Sequence, residues 1–316
     1  MDPLAPDPRP GLKGIGRLGT SIEAAEGKTI LITGGTTGIG RAAALALARR
    51  GANISIVGRN RVKGHQVVEQ MTAAGAGQHR YWPADLSTMG EVRNLARRVR
   101  EESDRLDVLV NNAGGMFFRR HTTADGLERT FALNHLAPFL LTHLLLPVLE
   151  SAGDARIVTT SSAAHWSGQI DFEDLQQRRG YTILKAYSRT KLANILFTRE
   201  LARRLDRTGI SATCFHPGLV ATNLAKQNLV LRPFVSLFYA LFARSAEDGA
   251  DTLVHLAIDS AVEGRSGGYY VNRQLAGSSS ASQDARLAAK LWLVSEELVQ
   301  LTPQERLLDL GDPQVA

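Results

Sequence analysis

The stretch that most restricts this chain begins at Thr29, where five residues of strand character run into Thr33-Gly34-Gly35-Thr36-Thr37-Gly38-Ile39-Gly40 and an alanine- and leucine-rich helix follows. Gly34, Gly38 and Gly40 let a backbone turn tightly and come close to a partner, and a helix starting there aims its free N–H groups and positive dipole end outward. Strand, glycine turn and helix in that order form a cradle for a pyrophosphate, with Thr36, Thr37 and Ile39 between the glycines; the order separates it from an ordinary glycine-rich turn. Such a cradle belongs to βαβ architecture, so a parallel sheet is expected for the remainder.

From Lys28 onward, β-branched runs alternate with longer helical patterns. They predict strands at Thr29–Thr33, Asn53–Val57, Tyr81–Ala84, Leu106–Val110, Arg156–Thr160, Ile210–Phe215 and Gly268–Val271. The longest helices are expected at about Ala124–Glu150 and Ala186–Leu205, the latter with Phe197, Leu201 and Leu205 in one stripe. Together these give an α/β chain with a single Rossmann-type doubly wound domain over residues 27–316, built on a seven-stranded parallel sheet with helices on both faces. With 316 residues, 44% hydrophobic and 22% charged, the chain can fill one such core. Residues 1–26, whose first ten hold four prolines and no apolar run, read as an extended or mobile arm and not as a signal peptide or membrane anchor. Asn223–Ser245 breaks the rhythm and is rich in Leu, Phe and Val, but its most apolar part, Pro233–Ala243, falls well short of the ~20 residues of a membrane span. Gly277–Ser282 reads as a surface loop, and a C-terminal helical extension is expected from about residue 281.

The lone cysteine, Cys214, excludes intrachain disulfides and Cys-rich zinc sites, and the histidines show no metal-ligand spacing. No metal is expected. A net charge of +6 favours anionic partners. The arginines are scattered, so a phosphate-bearing cofactor meets that preference and nucleic acid is not expected. A cytoplasmic location is the accompanying expectation.

At the end of the second predicted strand, about nineteen residues beyond Gly40, an NAD site would carry an acid for the ribose 2′-hydroxyl. Arg59 stands there. No Asp or Glu occurs from Gly27 to Val68, whereas Arg41, Arg59, Arg61 and Lys63 do. A guanidinium fork suits a 2′-phosphate. NADP(H) is therefore the expected cofactor, with Arg59 the first choice for the phosphate and Arg41 the second.

Two Tyr-xxx-Lys pairs follow, Tyr181 with Lys185 and Tyr187 with Lys191. On a helix such a pair shares one face. An ammonium beside a phenol favours the phenolate, lowering a pKa ordinarily near ~10. A phenol so placed can give a proton to a carbonyl oxygen that is receiving hydride. Spacing alone does not choose between the pairs.

Thr33-Gly34-xxx-Gly38-x-Gly40, Asp85-Leu86, Asn111-Asn112-Ala113-Gly114, Asn134, Ser161-Ser162, Tyr187-Ser188-Arg189-Thr190-Lys191 and Pro217-Gly218-xxx-Thr222 stand in that order. In this the chain resembles the short-chain dehydrogenases/reductases over about Lys28–Asn272. Ser161 through His165 and Tyr187 through Phe197 look most like the retinol dehydrogenase and WW-domain-oxidoreductase branch. The long insert between Ser162 and Tyr187 is similar to that branch and marks Tyr181 as a loop residue. The resemblance implies Tyr187 as general acid, Lys191 as the group that lowers its pKa and holds the nicotinamide ribose, and Ser162 as donor to the substrate oxygen. It implies that Asn134 kinks its helix and anchors a proton-relay water. Asp85, beside Leu86, would take the adenine amino group, and Asn112, Ala113 and Gly114 would pass under the adenosine ribose. Pro217, Gly218 and Thr222 would fold over the nicotinamide.

Substrate contacts are expected from Ala163–Gly168, His216–Val220 and Leu224–Phe242. Trp166, Leu219, Phe234 and Phe238 would belong to an apolar pocket under a lid at 223–245. The arginine borders of that lid also allow peripheral membrane contact, and a homodimer follows from the resemblance alone. The expected activity is NADPH-dependent, reversible reduction of a ketone or aldehyde on a hydrophobic small molecule. The alternatives are an oxidative retinol-like alcohol dehydrogenase and a non-catalytic NADP(H)-sensing scaffold, whose mark would be a damaged Ser/Tyr/Lys/Asn set. His165 and His216 are expected to be local hydrogen-bonding residues.

Overall fold

Strands and helices alternate along the chain as β1 (Thr29–Thr33), α1 (Gly38–Ala48), β2 (Asn53–Gly58), α2 (Arg61–Ala74), β3 (His79–Pro83), α3 (Met89–Glu102) and β4 (Val108–Asn111). A helical turn α4 (Arg129–Phe131) then leads through a π-turn at Ala132–Leu136 into α5 (Ala137–Glu150). The second half adds β5 (Arg156–Thr160), α6 (Ile183–Arg204), β6 (Ser211–His216), α7 (Ala246–Ile258), β7 (Tyr269–Val271), β8 (Gln274–Leu275) and α8 (Ala285–Leu298). The structure, a computed structural model, describes residues 25–218 and 245–306. The arm expected over 1–26, up to residue 24, and the expected lid, over 223–244, lie outside the described residues, as do Leu219, Thr222, Phe234 and Phe238.

The sheet runs β3-β2-β1-β4-β5-β6-β7-β8. Its first seven strands are parallel, and β8 pairs antiparallel with β7. This eighth strand is the one departure from the seven-strand expectation. Two residues carry no alternation to detect, and the turn before it is made by Asn272 and Arg273, both at positive φ, as a two-residue hairpin requires. The strand order reverses between β1 and β4, the place where doubly wound sheets open a crevice beyond their strand ends.

Both faces of the sheet are covered. On one, α3, α5, α6 and α8 enclose a cluster in which Phe139, Phe197 and Trp292 meet at ring-centroid distances of 5.0 to 6.0 Å. On the other, α1 packs against α7 through Ala43, Ala44, Leu47 and Leu253, all wholly buried. Residues 129–150 form the one helix among the described residues that is long and apolar enough to cross a membrane, and 89% of its apolar window is buried inside the protein. Its composition is that of a central core helix.

Two local expectations change. The helix expected from Ala124 starts at Arg129, because residues 121–128 close into a loop with a bridge between Thr122 and Glu128 and with Gly126 at φ +78°. Gly277–Ser282 is not a surface loop: Ser278, Ser279 and Ser282 are buried. Arg199 donates to the Ser282 carbonyl at 3.0 Å and to the Ser278 hydroxyl at 3.1 Å, which fastens the segment to α6.

Candidate active site

The glycine turn is held from behind by one threonine. The Thr33 hydroxyl donates to the Val110 carbonyl at 3.1 Å and accepts from the backbone N–H groups of Asn112 and Ala113 at 2.9 and 3.0 Å. Asn112 Nδ2 donates back to the Thr33 carbonyl at 3.0 Å. These bonds lock the end of β1 to the end of β4. Gly34 and Gly38 have φ of +68° and +55°, and a Cβ on Gly40 would lie 2.5 Å from the Gly34 oxygen. Side chains there would be strained or would collide. Helix α1 then begins with no acidic residue in its first turn, and its N-cap Thr37 makes no side-chain cap. Its first N–H groups are thus left for an anion, which fits a pyrophosphate.

At the end of β2, Arg59 lines the cleft and pairs with Asp85 at 3.9 Å. Burial alone would raise the Asp85 carboxyl, yet donors from the Ser87 backbone and hydroxyl, with the charges of Arg59 and Arg129, hold it below the ordinary carboxylate range. Leu86 packs into the core beside it. Thr36 fills the space beside Gly58, where a Cβ would meet its methyl at 2.7 Å. Arg41 is not brought to the cleft: both its Nε and one terminal nitrogen donate to Gln70 Oε1, at 3.1 and 2.9 Å.

From this turn a cleft of about 740 Å3 extends past Asn112, Ala113 and Gly114 to Ser162, Tyr187, Lys191, Pro217 and Gly218. Thr182 caps α6, so Tyr187 and Lys191 lie one turn apart on the same face of an established helix. Lys191 is buried, its Nζ donates to the Thr160 carbonyl at 3.0 Å, and it stands 5.4 Å from the centre of the Tyr187 ring. Burial lowers its pKa from 10.5 to about 8. Ser162 caps the 3-10 turn Ala163–Ser167, its Oγ accepting from Ala164 N at 3.2 Å.

Asn134 sits inside the π-turn Ala132–Leu136. One irregular turn in a helix redirects a side chain, and here it clamps a neighbouring backbone. Asn134 Oδ1 accepts from Gly115 N at 2.8 Å, and its Nδ2 donates to Gly115 O at 3.0 Å and to the Thr190 hydroxyl at 3.1 Å. Thr190 in turn donates to the Tyr187 carbonyl at 2.7 Å. The helix bearing the tyrosine and the strand end bearing Gly114 are joined through this one amide.

His165 is buried, and its two ring nitrogens face Ser162 O at 2.8 Å and Ser279 N at 3.2 Å. A carbonyl only accepts and an amide N–H only donates, so the proton resides on Nδ1 and Nε2 is the acceptor. Trp166, expected in the pocket, is 62% exposed, packs at a tilt beside His165 with ring centres 5.1 Å apart, and does not line the cleft. Tyr181 lies before α6, and its hydroxyl donates to the Phe117 carbonyl at 2.6 Å.

Thr33, Gly115, Thr160 and Thr190 escaped the sequence reading as site residues. Thr33 stood in full view inside the motif. Gly115 and Thr160 act through their backbones, which no residue type signals.

A profile of the short chain dehydrogenase family matches residues 28–229. The chain is 41% identical over 287 residues to retinol dehydrogenase 14 of Mus musculus, covering 86% of each protein. It is 42% identical over 284 residues to DnrU of Streptomyces sp. (strain C5), a protein named as a daunorubicin C-13 ketoreductase, covering 90% of this chain and 96% of that one. Among solved structures, the NADP active-site complex of Pseudomonas aeruginosa RhlG superposes with a TM-score of 0.64 at 27% identity, over 78% of this chain and 95% of the other.

Proposed function

The chain belongs to the short-chain dehydrogenase family, and we propose that within it this protein is an NADP(H)-dependent oxidoreductase that reduces a ketone or aldehyde on a hydrophobic small molecule. The observation that carries the reading is that Ser162, Tyr187 and Lys191 line the same cleft that starts at the glycine turn. A nicotinamide cofactor, when bound, supplies the hydride. Gly34, Thr37, Gly38 and Ile39 would hold its pyrophosphate, Asn112, Ala113 and Gly114 its adenosine ribose, and Arg59 a 2′-phosphate.

Tyr187 gives its phenolic proton to the carbonyl oxygen as reduction proceeds, and takes it back in the oxidative direction. Lys191 holds a positive charge beside that ring and so favours the phenolate left behind. Ser162 orients the carbonyl oxygen, and Asn134 keeps α6 and the segment after β4 in register. Positioning of this kind can supply ~7 to 11 kcal/mol of barrier lowering. The cleft is also walled by Met116, Leu133 and Leu184, which favours a lipophilic skeleton.

Purified protein mixed with NADPH and a panel of lipophilic ketones and aldehydes should consume the cofactor, and NADH should serve much less well. Equal use of NADH, or activity confined to small polar carbonyls, overturns the corresponding part. A second reading, oxidation of a retinol-like alcohol with NADP+, takes its support from relatives named retinol dehydrogenases. The same panel run with alcohols and NADP+ compares the two directions.

A further inference from the structure

Beside the adenosine end of the cleft, sharing Arg59 and Phe117 with it, lies a second hollow of about 320 Å3 whose remaining walls are Phe118, Arg119, His121 and Arg129. None of Ser162, Tyr187 and Lys191 lines it. Three guanidiniums round one hollow repel each other, and among the described residues no carboxylate forms an ion pair with Arg119 or Arg129. The acid next to Arg129 is spent elsewhere. Glu128 turns inward, accepting from Thr130 N and Phe131 N at 2.7 and 3.0 Å and lying 3.8 Å from the buried Arg189.

The loop that presents these cations is built to hold them. Arg129 N donates to His121 O at 2.9 Å, and Thr123 N to Leu127 O at 2.8 Å. Its base is pinned where Arg120 Nε donates to Gln176 O at 2.9 Å and Glu128 N to Gln176 Oε1 at 2.6 Å. Its tip is pinned where Asp125 accepts from Met89 N at 3.0 Å. The Arg129 guanidinium itself lies 4.4 Å above the centre of the Phe117 ring. A fixed, under-neutralised cationic hollow facing the end of β2 is a receptor for a doubly charged anion.

We infer that Arg129, with Arg119 beside it, forms a second jaw that closes on the 2′-phosphate of the cofactor opposite Arg59, so that cofactor choice is set from the loop after β4 as well as from the end of β2. This rests on the NADP(H) reading above. Asp85, 3.9 Å from Arg59 and within the field of Arg129, offsets part of the repulsion between the two guanidiniums.

The test is calorimetric titration of wild type, Arg129→Met and Arg119→Ser with NADPH, NADH, 2′,5′-ADP and 5′-AMP at low and high salt. Methionine keeps apolar bulk over Phe117. Arg129→Met should weaken NADPH and 2′,5′-ADP about tenfold, with NADH and 5′-AMP changed less than about twofold, and Arg119→Ser about threefold in the same pattern. High salt should shrink both differences. Equal weakening of NADPH and NADH, or no weakening in either variant, overturns the second jaw while a wild-type preference for NADPH leaves Arg59 in place. A wild type that binds NADH as tightly as NADPH overturns both.

Discussion

Tyr181 and Tyr187 each precede a lysine by four residues, and the fold gives them opposite surroundings. Tyr187 lies within α6, where a turn of helix sets Lys191 against its ring at 5.4 Å from the centroid. Tyr181 falls two residues before that helix begins, so the spacing that would align it with Lys185 has no helix to act through, and Lys185 is exposed. The Tyr181 hydroxyl is spent on the Phe117 carbonyl, and burial raises its pKa. A proton donor needs a neighbour that stabilises its anion; a tether needs only an acceptor. The cap at Thr182 leaves Tyr181 outside the helix and Tyr187 within it.

That contrast can be broken most directly at residue 187. Tyr187→Phe keeps the ring and removes the proton, so turnover should fall at least ~10³-fold while NADPH still binds. Near-normal turnover in this variant, with Tyr181→Phe dead, would exchange the two roles. Lys191→Met should lower kcat about 10²-fold and yet make the cofactor-free protein harder to melt. Burial holds the Lys191 pKa at about 8 against 10.5 unfolded. Folding therefore disfavours its charged form. The penalty is complete below pH 8 and fades as pH rises through 10.5, so the melting temperature of the methionine variant relative to wild type should be highest near neutral pH and fall toward the alkaline end, where only the lost bond to the Thr160 carbonyl remains. A gain that grows with pH would contradict the assignment.

Smaller effects sharpen the other side of the comparison. Tyr181→Phe should leave kcat within about threefold and lower stability by about 1 kcal/mol in denaturant titration, the usual loss for one hydrogen bond. Smallest of all, Lys185→Ala should stay within ~0.5 kcal/mol and leave rates unchanged, as an exposed side chain should. A large loss at Lys185 would mean that the first pair also does chemistry.

What could be read from the sequence divides along the same line. Seven of the eight strands and the glycine turn are written in contiguous residues, because a buried parallel strand needs an apolar run and a tight turn needs glycine at fixed places. The eighth strand is too short for any period, and the start of the helix before Asn134 was hidden because Ala124, Leu127 and Phe131 keep helical spacing through a loop closed by a bridge and a glycine. Arg59 ranks above Arg41 in one dimension, by its place at the end of β2. The packing of α1 on α2, which offers Gln70 to Arg41, is what takes Arg41 away from the cleft. The cationic loop after β4 was illegible for the same reason, since Arg59 and Arg129 are neighbours only through the sheet order. Trp166 was assigned from its size and position, whereas exposure is a property of what lies opposite.

The serine-rich segment after β8 reaches further than its length suggests. His165 joins the Ser162 carbonyl to Ser279 N, and Arg199 fastens the same segment to the helix that carries Tyr187. A shortened version of this protein stopping at Leu275 would keep every strand listed above and still leave the turn at Ser162 without its tie to Ser279. Trimming, nicking or grafting a carrier at the serine-rich segment therefore reaches Ser162 at a distance, through one imidazole.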